Sequence, residues 1–303
     1  TGYTMNTILN YGSCCIDHVY QVQHFVAAGE TLPGTDYAVF PGGKGLNQSI
    51  AIARANGCVI HAGKIGQDGT WLKDQMHNAG VGLDHLLVSD SNTGHAIIQI
   101  SRSGDNAIII YGGTNREILA SETTTFFADC AKGDLLLLQN EVSCNETAIL
   151  NAKDRGMQVG FNVAPMTADV FDLPLDLVDY FVINENEGRA LAATEDLETV
   201  PDRLLEQYPN CKVLLTLGEQ GSWYKDATIE IRQAAFDVNM VDSTGAGDTF
   251  TGYFFAALQS GTSTQQALTR ASAAAALSVT KAGAATSIPS ADAVDDFLQS
   301  NPI

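Results

Sequence analysis

Short apolar runs alternate with helical patterns along the chain from residue 120 onward. Four runs are almost continuously apolar, as strands buried on both faces are: 135–138, 158–163, 180–183 and 212–217. Helical patterns separate them around 122–131, 145–155, 186–193 and 200–207. This alternation predicts a parallel sheet covered by helices on both faces, with ligands beyond the carboxyl ends of the strands.

The first third of the chain follows the same plan but carries two β-rich insertions. Its other predicted strands and helices are 7–12, 46–55, 58–65 and 70–79. From 17 to 40 the alternation is patchy and broken by glycines and a proline, and 94–112 is typical of a hairpin. We expect the insertions 17–40 and 94–112 to form a small sheet, here called the lid. The core would then comprise 1–16, 41–93 and 113–303.

Composition and charge limit the range of possible functions. The 303 residues are 45% hydrophobic and 17% charged, as in ordinary globular proteins. A formal charge of −19 argues against a nucleic-acid or anionic-membrane partner, although a local cradle can still hold an anion. The chain has no CxxC pair for a thiolate zinc site. It has no signal-peptide pattern and no apolar run of about 20 residues, so we expect a cytoplasmic protein.

A glycine turn near residue 245 carries the clearest chemical signal. Gly245, Ala246 and Gly247 let the backbone approach a ligand, and an apolar helical stretch follows at once. The free N–H groups of such a helix start suit a phosphate. Asp248, in the same turn, can take a proton from an attacking hydroxyl. The segment predicts phosphoryl transfer to an alcohol.

A second glycine-rich loop, residues 42–47, lies about 200 residues earlier. It is not a Walker A loop, because glycine follows Lys44 where Ser or Thr is required. By itself it is equally typical of a flexible loop with a solvent-facing lysine.

Together the two segments closely resemble the two signature motifs of the ribokinase-like (PfkB) carbohydrate kinases. These are Gly42-Gly43-Lys44-Gly45-Leu46-Asn47-Gln48 and Asp242-Ser243-Thr244-Gly245-Ala246-Gly247-Asp248-Thr249-Phe250. Their order, their separation and the two insertions extend the resemblance over essentially the whole chain. Within the family the first motif looks most like that of the ribokinase members. The resemblance implies a ribokinase-like three-layer α/β/α fold with a mainly parallel central sheet and a small β-sheet lid.

The resemblance also implies the activity, which is transfer of the γ-phosphoryl group of ATP to a sugar hydroxyl, O5 of D-ribose. Asp248 would be the base, and Gly245, Ala246 and Gly247 the anion hole. Other acceptors within the family remain open, among them 2-deoxyribose, fructose and nucleosides. A non-catalytic sugar-sensing protein on the same fold is a further alternative.

The sugar-binding residues implied by the family motifs come from the first loop, two strand ends and the glycine turn. They are Cys15, Ile16, Asp17, Gly43, Lys44, Gly45, Leu46, Asn47, Glu141 and Asp248. Carboxylates and amides suit neighbouring sugar hydroxyls because each can make two hydrogen bonds. Without the resemblance, Asp17 would be an ordinary turn aspartate and Glu141 a solvated loop charge. Leu46 and the Cys14-Cys15 pair depart from the usual family residues, which affects which sugar fits.

The implied nucleotide site uses later strand ends. Asn184 and Glu187 match the family Asn-x-x-Glu motif for Mg²⁺ and phosphate, although a plain helix N-terminus would carry the same residues. The other implied ATP contacts are Thr216, Leu217, Gly218, Glu219, Gln220, Gly221, Gly247 and Ser272.

Two further expectations come from the family. A monovalent cation, usually K⁺, would lie beside the anion hole, held mostly by backbone carbonyls of Asp242, Thr244, Ser278, Lys281, Gly283 and Ser287. A homodimer would form through the lid, because inserted β segments expose edges and an apolar face. Asp242 is also explained as a simple turn aspartate.

Overall fold

A computed structural model of the protein describes residues 6–301. In chain order the strands are β1 (Ile8–Tyr11), β2 (Cys15–Gln21), β3 (Asp36–Gly42), β4 (Val59–Gly66), β5 (Gly82–Ser89), β6 (Gly94–Ile100), β7 (Asn106–Tyr111), β8 (Leu135–Gln139), β9 (Gln158–Asn162), β10 (Tyr180–Asn184), β11 (Lys212–Thr216), β12 (Ser222–Lys225) and β13 (Glu230–Gln233). The α-helices are α1 (Lys44–Arg54), α2 (Trp71–Ala79), α3 (Ala120–Thr125), α4 (Asn145–Asp154), α5 (Glu185–Leu191), α6 (Val200–Gln207), α7 (Ala246–Gln259), α8 (Thr264–Ser278) and α9 (Ala291–Ser300).

A nine-stranded sheet forms the centre of the molecule, in the order β13-β12-β11-β10-β9-β8-β1-β4-β5. The strands from β11 to β5 are parallel, and the hairpin β12–β13 extends one edge antiparallel. The parallel strands place their carboxyl ends at one edge. The residues that follow them therefore meet there.

Helices cover the sheet on both faces, which produces three layers. Successive strand residues point to opposite faces, and in β8 Leu137 packs in one hydrophobic cluster while Leu136 and Leu138 pack in the other. The first cluster includes buried residues of α1, α2, α7, α8 and α9, and the second includes those of α4, α5 and α6. The predicted α/β/α class is confirmed.

The lid is a separate four-stranded sheet in the order β3-β2-β6-β7. β2 pairs antiparallel with β3 and parallel with β6, and β6 and β7 form the predicted hairpin. Because β2 follows the carboxyl end of β1 and β3 leads directly into α1, the lid is attached beside the carboxyl edge of the central sheet.

The predicted core strands agree with the structure to within two residues, but some elements differ. The helix expected around 122–131 is shorter and earlier, because α3 ends at Thr125 and turns follow. β5, the hairpin β12–β13 and α9 were not predicted. β5 and β13 are edge strands with few buried residues, so the continuous apolar signal of a central strand is absent from them.

Within the described range 6–301, no helix combines the length and apolarity needed to cross a lipid bilayer.

Candidate active site

The glycine turn before α7 has the backbone that the sequence predicts. Gly245 caps the helix with a φ of 74°, a left-handed conformation that favours glycine. A Cβ at this position would also lie 3.0 Å from Ala284 Cα. The first helical hydrogen bond runs from Thr249 N to Gly245 O (2.9 Å), so the N–H groups of Gly247 and Asp248 have no helical carbonyl to bind. Ala246 N–H is engaged by Ser243 O (3.2 Å).

Asp248 occupies the first turn of α7 and is only 7% exposed. Two amides of α1 hold its carboxylate: Asn47 Nδ2 donates to Oδ2 (3.1 Å) and Gln48 Nε2 donates to Oδ1 (2.9 Å). Since each carboxylate oxygen has a second lone pair, Asp248 can still accept a proton from a ligand hydroxyl. The contact joins the two motifs across 201 positions of sequence.

Lys44 begins α1 directly after Gly43, which has a φ of 94°. The negative charge of Asp248 raises the pKa of Lys44 above its ordinary value, and Glu141 and Glu187 add to this against the opposing effect of burial. Lys44 therefore stays cationic among three carboxylates. It lines one cleft together with Asn162, Ala164, Val182, Ile183, Asn184, Glu187, Thr216, Gly245, Gly247, Asp248 and Thr251.

A group of polar residues lies between the first loop and the lid. Glu141 Oε2 accepts hydrogen bonds from Lys44 N (3.0 Å) and Ser13 Oγ. Asp17 lies in β2 with its carboxylate against Gly42, where any Cβ would collide with it. Burial and the charge of Glu141 raise the pKa of Asp17 to about 6. The Asp17 carboxylate meets no hydrogen-bond donor within residues 6–301, so its oxygens are available to a ligand.

Asn184 and Glu187 form a reciprocal capping box at the start of α5. Asn184 Oδ1 accepts from Glu187 N (2.9 Å), and Glu187 Oε2 accepts from Asn184 N (2.8 Å). These hydrogen bonds are those of an ordinary helix N-terminus, so that interpretation of Asn184 and Glu187 agrees with the structure. The pair also lines the cleft, and burial raises the pKa of Glu187. The role of a helix N-terminus and that of a Mg²⁺ and phosphate motif are therefore compatible for this pair.

The implied ATP loop follows β11. Thr216 lines the cleft, and a 3₁₀ turn over Gly218–Gln220 is exposed beyond it. Gly221 has a φ of 98° and a Cβ there would lie 2.6 Å from Ala235 N, so the turn requires glycine.

Asp242 ties the turn before α7 to the segment after α8. Its Oδ1 accepts from Thr244 N (2.9 Å) and Thr244 Oγ1 (2.6 Å), and its Oδ2 accepts from Gly283 N (2.8 Å). These bonds lower the pKa of Asp242 against the effect of burial. The segments implied for the cation are thus in contact. Within residues 6–301 no cluster of three or more His, Cys, Asp or Glu is arranged to hold a metal ion.

Several residues that the family resemblance implies as ligand contacts are not among those that line the cleft. The Leu46 side chain is fully buried in the core, and Leu46 N donates to Ser13 O (2.9 Å). Ile16 is also a core residue, 7% exposed. Ser272 lies in α8 outside the cleft lining, and its buried hydroxyl has no partner in the described part of the chain. Burial and the charges of Glu141 and Asp17 raise the pKa of Cys15 well above its ordinary value, so its thiol stays protonated.

Sequence reasoning missed two groups of residues. Asn162, at the end of β9, lines the cleft, and its position at a strand end was a usable signal. Asn10, Gln48 and Gln139 are fully buried behind Asp248. For Asn10 and Gln139 the signal was a polar residue in an otherwise apolar strand, whereas Gln48 lies in α1 at the end of the first motif.

Comparison with known proteins gives a consistent result. The model of the "pfkB family carbohydrate kinase" matches residues 5–291. The ribokinase of Haemophilus influenzae is 34% identical, over 97% of this chain and 98% of its own. The ribokinase of Cryptococcus neoformans, solved with ADP, is 32% identical with a TM-score of 0.85, covering 96% of this chain and 99% of its own. The ribokinase of Arabidopsis thaliana, complexed with ribose and ATP, is 29% identical with a TM-score of 0.86, covering 98% of this chain and 99% of its own.

The family match spans nearly the whole chain. It includes both motifs and every residue that lines the cleft in which the motifs meet. The chain belongs to the pfkB family of carbohydrate kinases.

Proposed function

We propose that the protein is an ATP-dependent sugar kinase that transfers the γ-phosphoryl group of ATP to O5 of D-ribose. One observation carries the proposal: Asp248, the free N–H groups of the turn before α7 and the Lys44 ammonium share one cleft. The similarity to ribokinases, one of them complexed with ribose and ATP, supports ribose as the acceptor.

In this mechanism Asp248 takes the proton of the sugar hydroxyl as that oxygen forms its bond to the γ-phosphorus. The bond from the γ-phosphorus to the bridging oxygen breaks, and its electron pair leaves with ADP. The N–H groups of Gly247 and Asp248 face the charge on the transferred oxygens. Lys44, kept cationic by Asp248, Glu141 and Glu187, adds a positive charge within the cleft.

Asp17 and Glu141 would bind the sugar. Asp17 meets no hydrogen-bond donor in the described part of the chain, and Glu141 is fixed by Ser13 and by the Lys44 backbone. A site of this kind rejects an analogue that lacks a hydroxyl, because the buried carboxylate then stays unpaired.

The donor set beside Lys44 fits the Mg²⁺ that accompanies ATP. Asn184 Oδ1 accepts one hydrogen bond in the capping box and keeps its second lone pair, and Glu187 Oε1 takes no part in the box. When bound, the ion would neutralise phosphate charge. Asn184 and Glu187 would hold it through water.

The segment around Asp242 fits a monovalent cation such as K⁺, because Asp242 supplies a carboxylate, which is a hard oxygen donor, and joins Thr244 to Gly283, two of the residues whose carbonyls the family resemblance implies as ligands. Replacing K⁺ by tetramethylammonium is expected to lower kcat. An unchanged kcat would refute the cation site.

The direct test is Asp248→Asn with ATP and ribose, followed by ADP release. Asn keeps the size of the side chain but cannot take the proton, so kcat is expected to fall by about 10²- to 10⁴-fold. Turnover near that of the parent would exclude Asp248 as the base.

A matched control is Asp292→Asn, since Asp292 is an exposed first-turn acid of another helix, α9. It should leave kcat unchanged. A panel of 2-deoxyribose, fructose and nucleosides distinguishes the other acceptors, and a protein that consumes no ATP with any sugar would be a sensor instead.

A further inference from the structure

A chain of buried amides connects Asp248 to the interior of the central sheet. Gln48 Nε2 donates to Asp248 Oδ1 (2.9 Å), and Gln48 Oε1 accepts from Gln139 Nε2 (2.7 Å). Gln139 Nε2 gives its other hydrogen to Asn10 Oδ1 (2.9 Å). All three amide residues have 0% exposed surface. A ligand in the cleft cannot touch Gln139 or Asn10, so their influence on chemistry passes through Asp248.

The far end of this chain fixes the orientation of each amide. The backbone carbonyl of Gly45 can only accept, so Asn10 turns its Nδ2 toward it (2.7 Å) and its Oδ1 toward Gln139. Gln139 must then present Nε2 both to Asn10 and to Gln48. Gln48 meets that donor with its Oε1 and is left with Nε2 facing Asp248. A donor therefore always faces Asp248 Oδ1.

This arrangement is not explained by stability. Gln139 lies at the end of β8 after four leucines, and its Oε1 is buried without a hydrogen-bond partner in the described residues. Asn10 lies between two core residues of β1. A buried unpaired acceptor is costly, whereas apolar groups of the same shape can replace a buried pair at little cost.

We propose that Gln48 and Gln139 are positioning residues that hold the Asp248 carboxylate in the one rotamer aimed at the acceptor hydroxyl. Gln48 restrains Oδ1 while Asn47 restrains Oδ2, and Gln139 keeps Gln48 from turning its oxygen toward the carboxylate. The proposal rests on the proposed function, in which Asp248 is the base.

The test compares Gln48→Met and Gln139→Met with the parent, using ATP and ribose. Met keeps the length of the side chain but removes the donor. We expect kcat to fall about 10- to 100-fold for Gln48→Met and about 3- to 30-fold for Gln139→Met, since a small misplacement of a reacting group is costly. KM for both substrates should stay within about twofold, because neither residue contacts a substrate. The double variant should be no slower than Gln48→Met, because both act through one carboxylate.

Gln259→Met is the matched control. Gln259 lies on α7, the helix of Asp248, and its amide makes two hydrogen bonds of 3.1 Å to the Cys58 backbone, away from the cleft. The Gln259→Met variant should be less stable than the parent and have the same kcat. A kcat within twofold of the parent for both test variants would overturn the proposal.

Crystal structures of the two test variants supply a readout that does not depend on activity. We expect the Asp248 carboxylate to leave its place opposite Asn47, and an unmoved carboxylate in both variants would also overturn the proposal. If the parent shows no sugar-dependent ATP turnover, the proposed function fails, and the crystal structures still decide the positioning of Asp248.

Discussion

At the scale of the residue, the site keeps carboxylates in two distinct settings. Asp248 is held from both sides by amides of α1, whereas Asp17 is half-buried beside Glu141 with no donor of its own in the described chain. Burial and this neighbouring charge raise the pKa of Asp17 to about 6. Asp17 is therefore ionised at neutral pH at a cost in folding free energy, which is expected for a group reserved for a ligand.

Asp17→Asn tests this cost. Because the pKa of Asp17 is raised in the folded state, its contribution to stability is present below about pH 4 and is lost as pH rises through about 6. Asp17→Asn should therefore be more stable than the parent at pH 7.5 by about 1–3 kcal/mol, with no difference below about pH 4. Urea unfolding at pH 7.5 and below about pH 4 measures this difference in the free energy of unfolding.

The same change should raise KM for ribose, and for the parent KM should rise as pH falls below about 6 and Asp17 is protonated. Asp36→Asn, an exposed position at the start of β3, is the control and should alter neither quantity. A variant that is less stable than the parent at pH 7.5 would contradict this account.

At the scale of the element, the approach of α1 to α7 sets the geometry around Asp248. The helices approach each other closely at Gly252, where a Cβ would lie 2.4 Å from Ala51 Cβ, 2.9 Å from Ile52 N and 3.0 Å from Gln48 O. This close approach is what brings the amides of Asn47 and Gln48 within hydrogen-bond distance of Asp248, one turn earlier on α7. Only glycine, which has no Cβ, leaves room for this approach of the two helices.

Gly252→Ala should push the two helices apart. We expect a loss of about 1–3 kcal/mol in the free energy of unfolding, as for other overpacked cores, and a lower kcat because the amides no longer reach Asp248. Chemical denaturation and ADP release measure the two effects.

Gly188→Ala, within α5, is the comparison variant, because its Cβ would meet the side-chain carbon Val200 Cγ1 at 3.1 Å instead of backbone. It should keep its kcat. Equal kcat values for Gly252→Ala and the parent would show that helix spacing does not control the base.

At the scale of the whole molecule, the lid leaves apolar side chains uncovered. Along β7, Ile108, Ile109, Ile110 and Tyr111 are 50–67% exposed, and Tyr37 of β3 is 50% exposed. β7 and β3 are also the free edges of this sheet. We propose that a second copy of the chain covers this surface and that the protein is a homodimer through its lid.

The dimer proposal predicts sedimentation at twice the chain mass of 32.2 kDa at micromolar concentration. Ile109→Lys should shift the protein to the monomer, since it places a charge among the exposed isoleucines of β7. Lys73→Glu, at a half-exposed position of α2, is a charge-changing control that should leave the mass unchanged. A parent protein that sediments as a monomer would refute the proposal.

The sequence alone determined the fold class, the family and the two motifs. Buried parallel strands are nearly continuous apolar runs, and glycine turns with Lys44 or Asp248 are local patterns, so both can be recognised from neighbouring residues. The edge strands β5 and β13 were not predicted, because a half-exposed strand has a weak apolar pattern. β12 is largely buried, but it is only four residues long and was missed with the hairpin that it forms with β13. The homodimer, the cation and the individual site contacts stay predictions.

Only the tertiary structure decided what surrounds Asp248. Gln48 and Gln139 are separated by 91 positions, and no local pattern shows that both amides lie in series behind one carboxylate. The structure likewise assigns Leu46 to the core although it belongs to the first motif. The physical reason is that hydrogen-bond partners and side-chain directions are set by how the helices and strands pack, which joins residues that are distant in the chain.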